Sequence, residues 1–97
     1  MNKRVLITGA SRGIGRAIAL RLASDGGFDL VLHCNSNILA ANSVLEEAKK
    51  LGANAHILQF DISDRESVKK SLEADIEKNG AFWGVVLNAG VNADAPF

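Results

Sequence analysis

The chain has 97 residues, 47% hydrophobic and 23% charged, and its eleven Lys and Arg balance eleven Asp and Glu at a formal net charge of zero. That length fits one small domain or part of a larger one, and the balanced charge argues against the broad basic surface that nucleic acid requires. A single cysteine, Cys34, excludes an intrachain disulfide; no apolar stretch reaches the roughly 20 residues of a membrane span, and Met1-Asn2-Lys3-Arg4 lacks the long apolar core and cleavage site of a signal peptide, so a reducing, cytoplasmic setting is expected.

Arg4 to Thr8 reads as a buried strand, with Val5-Leu6-Ile7 at its centre and glycine just beyond. A glycine-rich stretch, Thr8-Gly9-Ala10-Ser11-Arg12-Gly13-Ile14-Gly15, leads into a helix from Gly13 to about Ser24. Ile14, Ala17, Ile18 and Leu22 recur along it at helical spacing, and Asp25-Gly26-Gly27 ends it. Asp29 to Cys34 is a second strand. The polar turn Asn35-Ser36-Asn37 opens a second helix that runs to about Leu51, with Ala41, Val44, Leu45, Ala48 and Leu51 as its stripe and Gly52 as its cap.

Ala55 to Phe60 is a third strand. Ser63-Asp64-Arg65-Glu66 has capping-box form, so Ser63 and Glu66 are expected to reach each other's backbone. The third helix carries Val68, Leu72 and Ile76 on one side. Arg65, Lys69, Lys70, Glu73 and Glu77 form a solvated face with i,i+4 pairs. It stops at Asn79-Gly80. Gly84 to Leu87 is a fourth strand, and Asn88-Ala89-Gly90 is a loop.

The pattern β-α-β-α-β-α-β predicts an α/β fold: a Rossmann-type, doubly wound parallel sheet with right-handed crossovers. In the strand order 3-2-1-4-5-6 the chain would reach the fourth strand, leaving Val85, Val86 and Leu87 at an edge that proteins normally cover. Residues 1–97 are therefore expected to be the N-terminal, nucleotide-binding half of a single domain in a protein that continues past Phe97.

The strand–glycine turn–helix order suggests a phosphate cradle. Glycine permits a tight turn and close approach of an anion, and the helix offers free N–H groups and the positive end of its dipole. The spacing Gly9-x-x-x-Gly13-x-Gly15 differs from G-x-G-x-x-G, and a glycine turn without a ligand is the plain alternative. In dinucleotide folds an acid about 20 residues further on binds the ribose hydroxyls of NAD. Here His33-Cys34-Asn35-Ser36-Asn37 holds none, while Arg12 offers a cation to a 2′-phosphate. NADP(H) is thus expected over NAD(H), the alternative being a solvated arginine and a plain turn.

Asp61-Ile62 and Asn88-Ala89-Gly90 follow the third and fourth strands at the carboxyl edge, where ligands bind in open sheets. Asp61 would accept from an adenine amino group or, alternatively, cap the third helix. Asn88-Ala89-Gly90 would let the backbone pass beside a cofactor or would be a bare turn. His33 and His56 read as core or edge histidines with no metal spacing, Cys34 as a small apolar residue, and Trp83 as a cover for apolar surface.

Taken together, Thr8 to Gly15, Asp61-Ile62 and Asn88-Ala89-Gly90, in this order and spacing, resemble the N-terminal half of the short-chain dehydrogenases/reductases. The resemblance covers essentially the whole chain. Ser11 to Ala19, with Asp94, looks most like the 3-oxoacyl-(acyl-carrier-protein) reductase branch. It implies that Gly9, Gly13 and Gly15 form the dinucleotide loop, lined by Ser11, Arg12 and Ile14. Asn35 and Ser36 would lie near the adenosine ribose phosphate, Asp61 and Ile62 would flank adenine, and Asn88, Ala89 and Gly90 would pass beside the ribose.

Leu87 departs from the family's usual asparagine. The family's catalytic Asn, Ser, Tyr and Lys come later than Phe97, and the chain has no tyrosine, so no catalytic residue is assigned here. The resemblance further implies a homotetramer that transfers hydride from NADPH to a 3-oxoacyl thioester in fatty-acid-type synthesis. Two alternatives are a non-catalytic NADP(H)-binding module and a reductase acting on another carbonyl.

Overall fold

A computed structural model describes residues 2–88. The described residues form β1 (Lys3–Ile7), α1 (Gly13–Asp25), β2 (Phe28–Cys34), α2 (Ile38–Lys50), β3 (Asn54–Gln59), α3 (Arg65–Asn79) and β4 (Gly84–Val86). Each lies within a residue or two of its expected bounds. The strands make one sheet in the order β3-β2-β1-β4, and each neighbouring pair is parallel. This is the expected α/β, Rossmann-type arrangement. No helix among the described residues is long and apolar enough to cross a membrane.

Strand parity divides the core. Val5 and Ile7 of β1 and Leu30 and Leu32 of β2 face one way and pack with Ala19, Ala23, Val44 and Ala48 of α1 and α2. An Arg16–Glu47 ion pair of 2.8 Å ties those two helices at the surface. The side of α1 turned to the sheet differs from the expected stripe. Gly15, Ala19 and Ala23, spaced four apart, are its buried residues. Ile14 is 70% exposed, Ala17 is exposed, and Ile18 and Leu22 are half-buried. The small row lets the helix axis approach the strands, which displaces the larger side chains outward. On α2, Ala41, Val44 and Ala48 are buried as expected, but Leu51 is half exposed because it lies at the C-cap.

The opposite face of the sheet is more polar. The buried residue of α3 is Asp75, whereas Val68 and Leu72 are half-buried and Ile76 is exposed. The Arg4 guanidinium donates to Asp75 Oδ2 at 2.6 Å and to the Gly80 carbonyl at 2.6 Å. His56 Nε2 lies 2.8 Å from Asp75 Oδ1, and the Asn79 amide donates to the same oxygen at 3.0 Å. Burial alone would push the Asp75 carboxyl up, but hydrogen bonds from Arg4 and His56, the Arg4 charge and the Asn79 amide hold it below the usual carboxylate range. The crossover helix is therefore fastened to β1 by an ion pair and to β3 by the His56 hydrogen bond. The i,i+4 pairs expected along α3 are not formed; the Arg and Lys ion pairs among the described residues are those of Arg4, Arg16 and Arg21.

The expected capping box gives way to a different cap. Asp64, in extended backbone, accepts from the Glu66 and Ser67 amides. Ser63 instead donates its N–H and hydroxyl to Asp61 Oδ1 at 2.9 and 2.7 Å, so it serves the turn before the helix. Trp83 is mostly exposed, with Phe28 at one side of its ring and the Lys3 ammonium 4.9 Å from its centroid. Cys34 is buried, and burial pushes its thiol up.

Candidate functional site

The site gathers at the carboxyl edge of the strands, where β1 leaves the sheet. Ile7 is the last β1 residue in register, opposite Leu32 and Val86. Beyond it the chain is still held by its neighbours. The Thr8 amide donates to the Val86 carbonyl at 3.0 Å and the Ala10 amide to the His33 carbonyl at 2.9 Å. Between them, the Gly9 amide donates to His33 Nδ1 at 3.0 Å. Gly9 and Gly13 have φ of 63° and 62°, the left-handed region where a Cβ is strained. At Gly15 the requirement is space instead, since a Cβ there would strike the Gly9 carbonyl and the Asn88 carboxamide.

The start of α1 is open toward an anion. Arg12 occupies the N-cap position in extended backbone, its side chain makes no capping bond, and the first turn carries no acid. The amides of that turn are therefore left to be met from outside. Arg12 is exposed, and its guanidinium has no ion-pair partner among the described residues. Ser11 is half-buried in the turn. A helix N-terminus, open space at Gly13, and a cation with no ion-pair partner among the described residues together fit a nucleotide's phosphates.

Asn35 and Ser36 lie at the end of β2, both exposed. Their backbone carbonyls accept from Gln59 Nε2 and the Ile38 amide, while Asn37 caps α2; the side chains of Asn35 and Ser36 remain available. Asp61 stands exposed after β3 with Ile62 half-buried beside it. The Ser63 hydroxyl, then its amide, hold the Asp61 carboxyl below its ordinary range, so it stays an acceptor.

Asn88 joins the two ends of the site. Its amide donates to Thr8 Oγ1 at 2.7 Å, and its side-chain Nδ2 donates to the Gly9 carbonyl at 3.2 Å. The Thr8 hydroxyl donates in turn to the Val86 carbonyl. Ala89, Gly90 and Asp94 lie outside the described residues. The structure thus brings Gly9, Gly13, Gly15 and Asn88 together, with Asn35-Ser36 and Asp61-Ile62 on the same edge.

His33, read as a core or edge histidine, is buried, and its ring also takes the Gly9 amide. The available signal was its parity: a polar ring follows Leu30-Val31-Leu32 one residue before the strand ends.

Comparison with known proteins agrees with this geometry. The family model described as short chain dehydrogenase matches residues 3–97. A 3-oxoacyl-(acyl-carrier-protein) reductase FabG of Aggregatibacter actinomycetemcomitans is 54% identical over 97 residues, which is 100% of this chain and 40% of that protein. The FabG of Staphylococcus aureus (strain N315) is 36% identical over 94 residues, 97% of this chain and 38% of that one. The crystal structure of an alcohol dehydrogenase from Thermococcus sibiricus complexed with 5-hydroxy-NADP matches with a TM-score of 0.83 and 37% identity, over 93% of this chain and 38% of that chain. The chain spans about 40% of the length of the curated relatives it matches.

Proposed function

The chain belongs to the short-chain dehydrogenase family, and from that premise we propose that it holds NADP(H) in a reductase of 3-oxoacyl thioesters, carried on acyl carrier protein or coenzyme A. The single observation that carries the cofactor reading is the start of α1: an uncapped helix N-terminus with no acid in its first turn beside Arg12, which has no ion-pair partner among the described residues. A carboxylate at the end of β2 would accept from the ribose hydroxyls of NAD and repel a 2′-phosphate. Cys34-Asn35-Ser36-Asn37 offers none, and a guanidinium binds phosphate with charge-assisted hydrogen bonds.

In this reading Gly9, Gly13 and Gly15, with Ser11 and Ile14, receive the pyrophosphate. Arg12, Asn35 and Ser36 receive the ribose phosphate, Asp61 and Ile62 flank the adenine, and Asn88, Ala89 and Gly90 pass beside the ribose. The cofactor, when bound, supplies hydride; these residues bind and orient it. The substrate rests on the relatives' names, and with it come a role in fatty-acid-type synthesis, a cytoplasmic setting and a homotetramer.

The test is a fluorescence titration of the intact protein with NADPH and with NADH, followed by NADPH oxidation with a 3-oxoacyl thioester. Tighter NADPH binding and thioester-dependent oxidation support the proposal. Equal affinities overturn the choice of cofactor. Binding without oxidation overturns the substrate and leaves an NADP(H)-binding module or another carbonyl substrate.

A further inference from the structure

His33 is fully buried, and both of its ring nitrogens meet backbone. Nδ1 accepts from the Gly9 amide at 3.0 Å. Nε2 lies 2.9 Å from the Phe60 carbonyl, which can only accept, so Nε2 carries the proton. The two bonds together require the neutral Nε2–H tautomer. The imidazole also lies against the Phe60 ring, with centroids 4.1 Å apart, and the His33 carbonyl takes the Ala10 amide. Two consecutive amides of the glycine turn therefore end on one residue. Because the Gly9 carbonyl receives Asn88 Nδ2, the Gly9 residue is gripped from β2 on one side and from the end of β4 on the other.

We propose that His33 is a positioning residue for the nucleotide-binding turn: its neutral ring holds Gly9 in the phosphate-receiving conformation, and its protonation releases the turn and weakens cofactor binding at acid pH. This rests on the reading of the turn as an NADP(H) site. An imidazolium has a donor on each nitrogen, so its Nδ1–H would face the Gly9 N–H. Burial lowers the ring's basicity, with the Phe60 hydrogen bond opposing.

Among the described residues no ion pair involves His33. The ring's hydrogen-bond partners are backbone groups of the glycine turn and of Phe60 just after β3, and its register neighbour on β3 is Leu58. The ionisable residues adjoining His33 and its partner Phe60 in the chain are Cys34, whose thiol burial pushes up, and Asp61, whose carboxylate is engaged by Ser63. An apolar residue at position 33 would fill the space but leave the Gly9 N–H without its acceptor.

Two substitutions in the intact protein separate the ring's bonds. His33→Asn puts a carboxamide oxygen where Nδ1 stands, keeping an acceptor for Gly9. His33→Gln reaches toward Phe60 and abandons Gly9. The expected result is a rise of about tenfold in the NADPH dissociation constant for His33→Gln, faster hydrogen exchange at the Gly9 amide, and near wild-type values of both for His33→Asn. Wild-type affinity should fall as pH drops from 7 to 5 and more steeply than that of His33→Asn. The 2′-phosphate, which titrates in the same range, is common to both proteins and cancels in the difference. Equal affinities, exchange rates and pH profiles among the three proteins overturn the proposal.

Imidazole ¹⁵N shifts of the wild type test it without any substitution. The Nε2–H tautomer, neutral at pH 7, supports it, and an Nδ1–H or charged ring at that pH overturns it. A wild-type protein that binds no NADP(H) at any pH overturns the cofactor reading, while the ¹⁵N and exchange data still decide whether His33 holds the turn.

Discussion

The Asn88 carboxamide reaches the Gly9 carbonyl, 79 residues away in sequence, through space that a side chain on Gly15 would occupy. Gly15 is also the first of the small residues by which α1 approaches the sheet. Gly15→Ala is therefore expected to destabilise the protein by about 1–3 kcal/mol through overpacking and to weaken NADPH binding at least tenfold. Urea denaturation and an NADPH titration check this. Unchanged stability would show that α1 can shift outward to make room.

Arg12 lies at the surface, so Arg12→Ala should leave stability within about 0.5 kcal/mol. Its loss should raise the NADPH dissociation constant roughly 10- to 100-fold, the range of a charge-assisted hydrogen bond, and change NADH binding little. Parallel titrations of the two nucleotides decide; equal losses would remove Arg12 from 2′-phosphate recognition.

Asp75→Ala should cost about 3 kcal/mol or more, because it leaves the Arg4 guanidinium mostly buried without its counter-ion. The pH sign follows from the direction of the Asp75 shift. The folded carboxyl is more acidic than the unfolded one, so its contribution is present above the ordinary aspartate value of about 3.9 and is lost as pH falls through the lower folded value. Denaturation midpoints between pH 7 and pH 3 should fall more steeply for the wild type than for Asp75→Ala at the acid end.

The cap of α3 provides a sharper contrast. Asp64→Ala should destabilise the protein by about 1 kcal/mol through loss of the bonds to the Glu66 and Ser67 amides. Ser63→Ala should cost the helix little and instead move the Asp61 carboxyl up toward its ordinary value. Thermal melts read the first effect and ¹³C titration of Asp61 the second.

The strands were legible because Val5-Leu6-Ile7 and Leu30-Val31-Leu32 are too short and too continuous to be helices, and glycines mark the turns between elements. The shared edge was legible because Gly9, Asn35, Asp61 and Asn88 each follow a strand of one parallel sheet. The face of α1 was not, since periodicity ranks side chains by hydrophobicity while close helix–sheet approach selects them by size. Asp75 and His33 were hidden for a related reason. A polar group in an apolar setting is explained by its partners, and those partners, Arg4 with His56 and Gly9 with Phe60, are far off in sequence.

Placing β1 between β2 and β4 has a consequence for biosynthesis. The Thr8 and Gly9 backbone waits for Val86 and Asn88, which leave a ribosome on the order of ten seconds later at the usual pace of translation. Over that interval one flank of the first-made strand stays open, and the turn lacks the bonds that Val86 and Asn88 bring to Thr8 and Gly9. The nascent chain has to keep that flank from pairing with a stranger before its own fourth strand arrives.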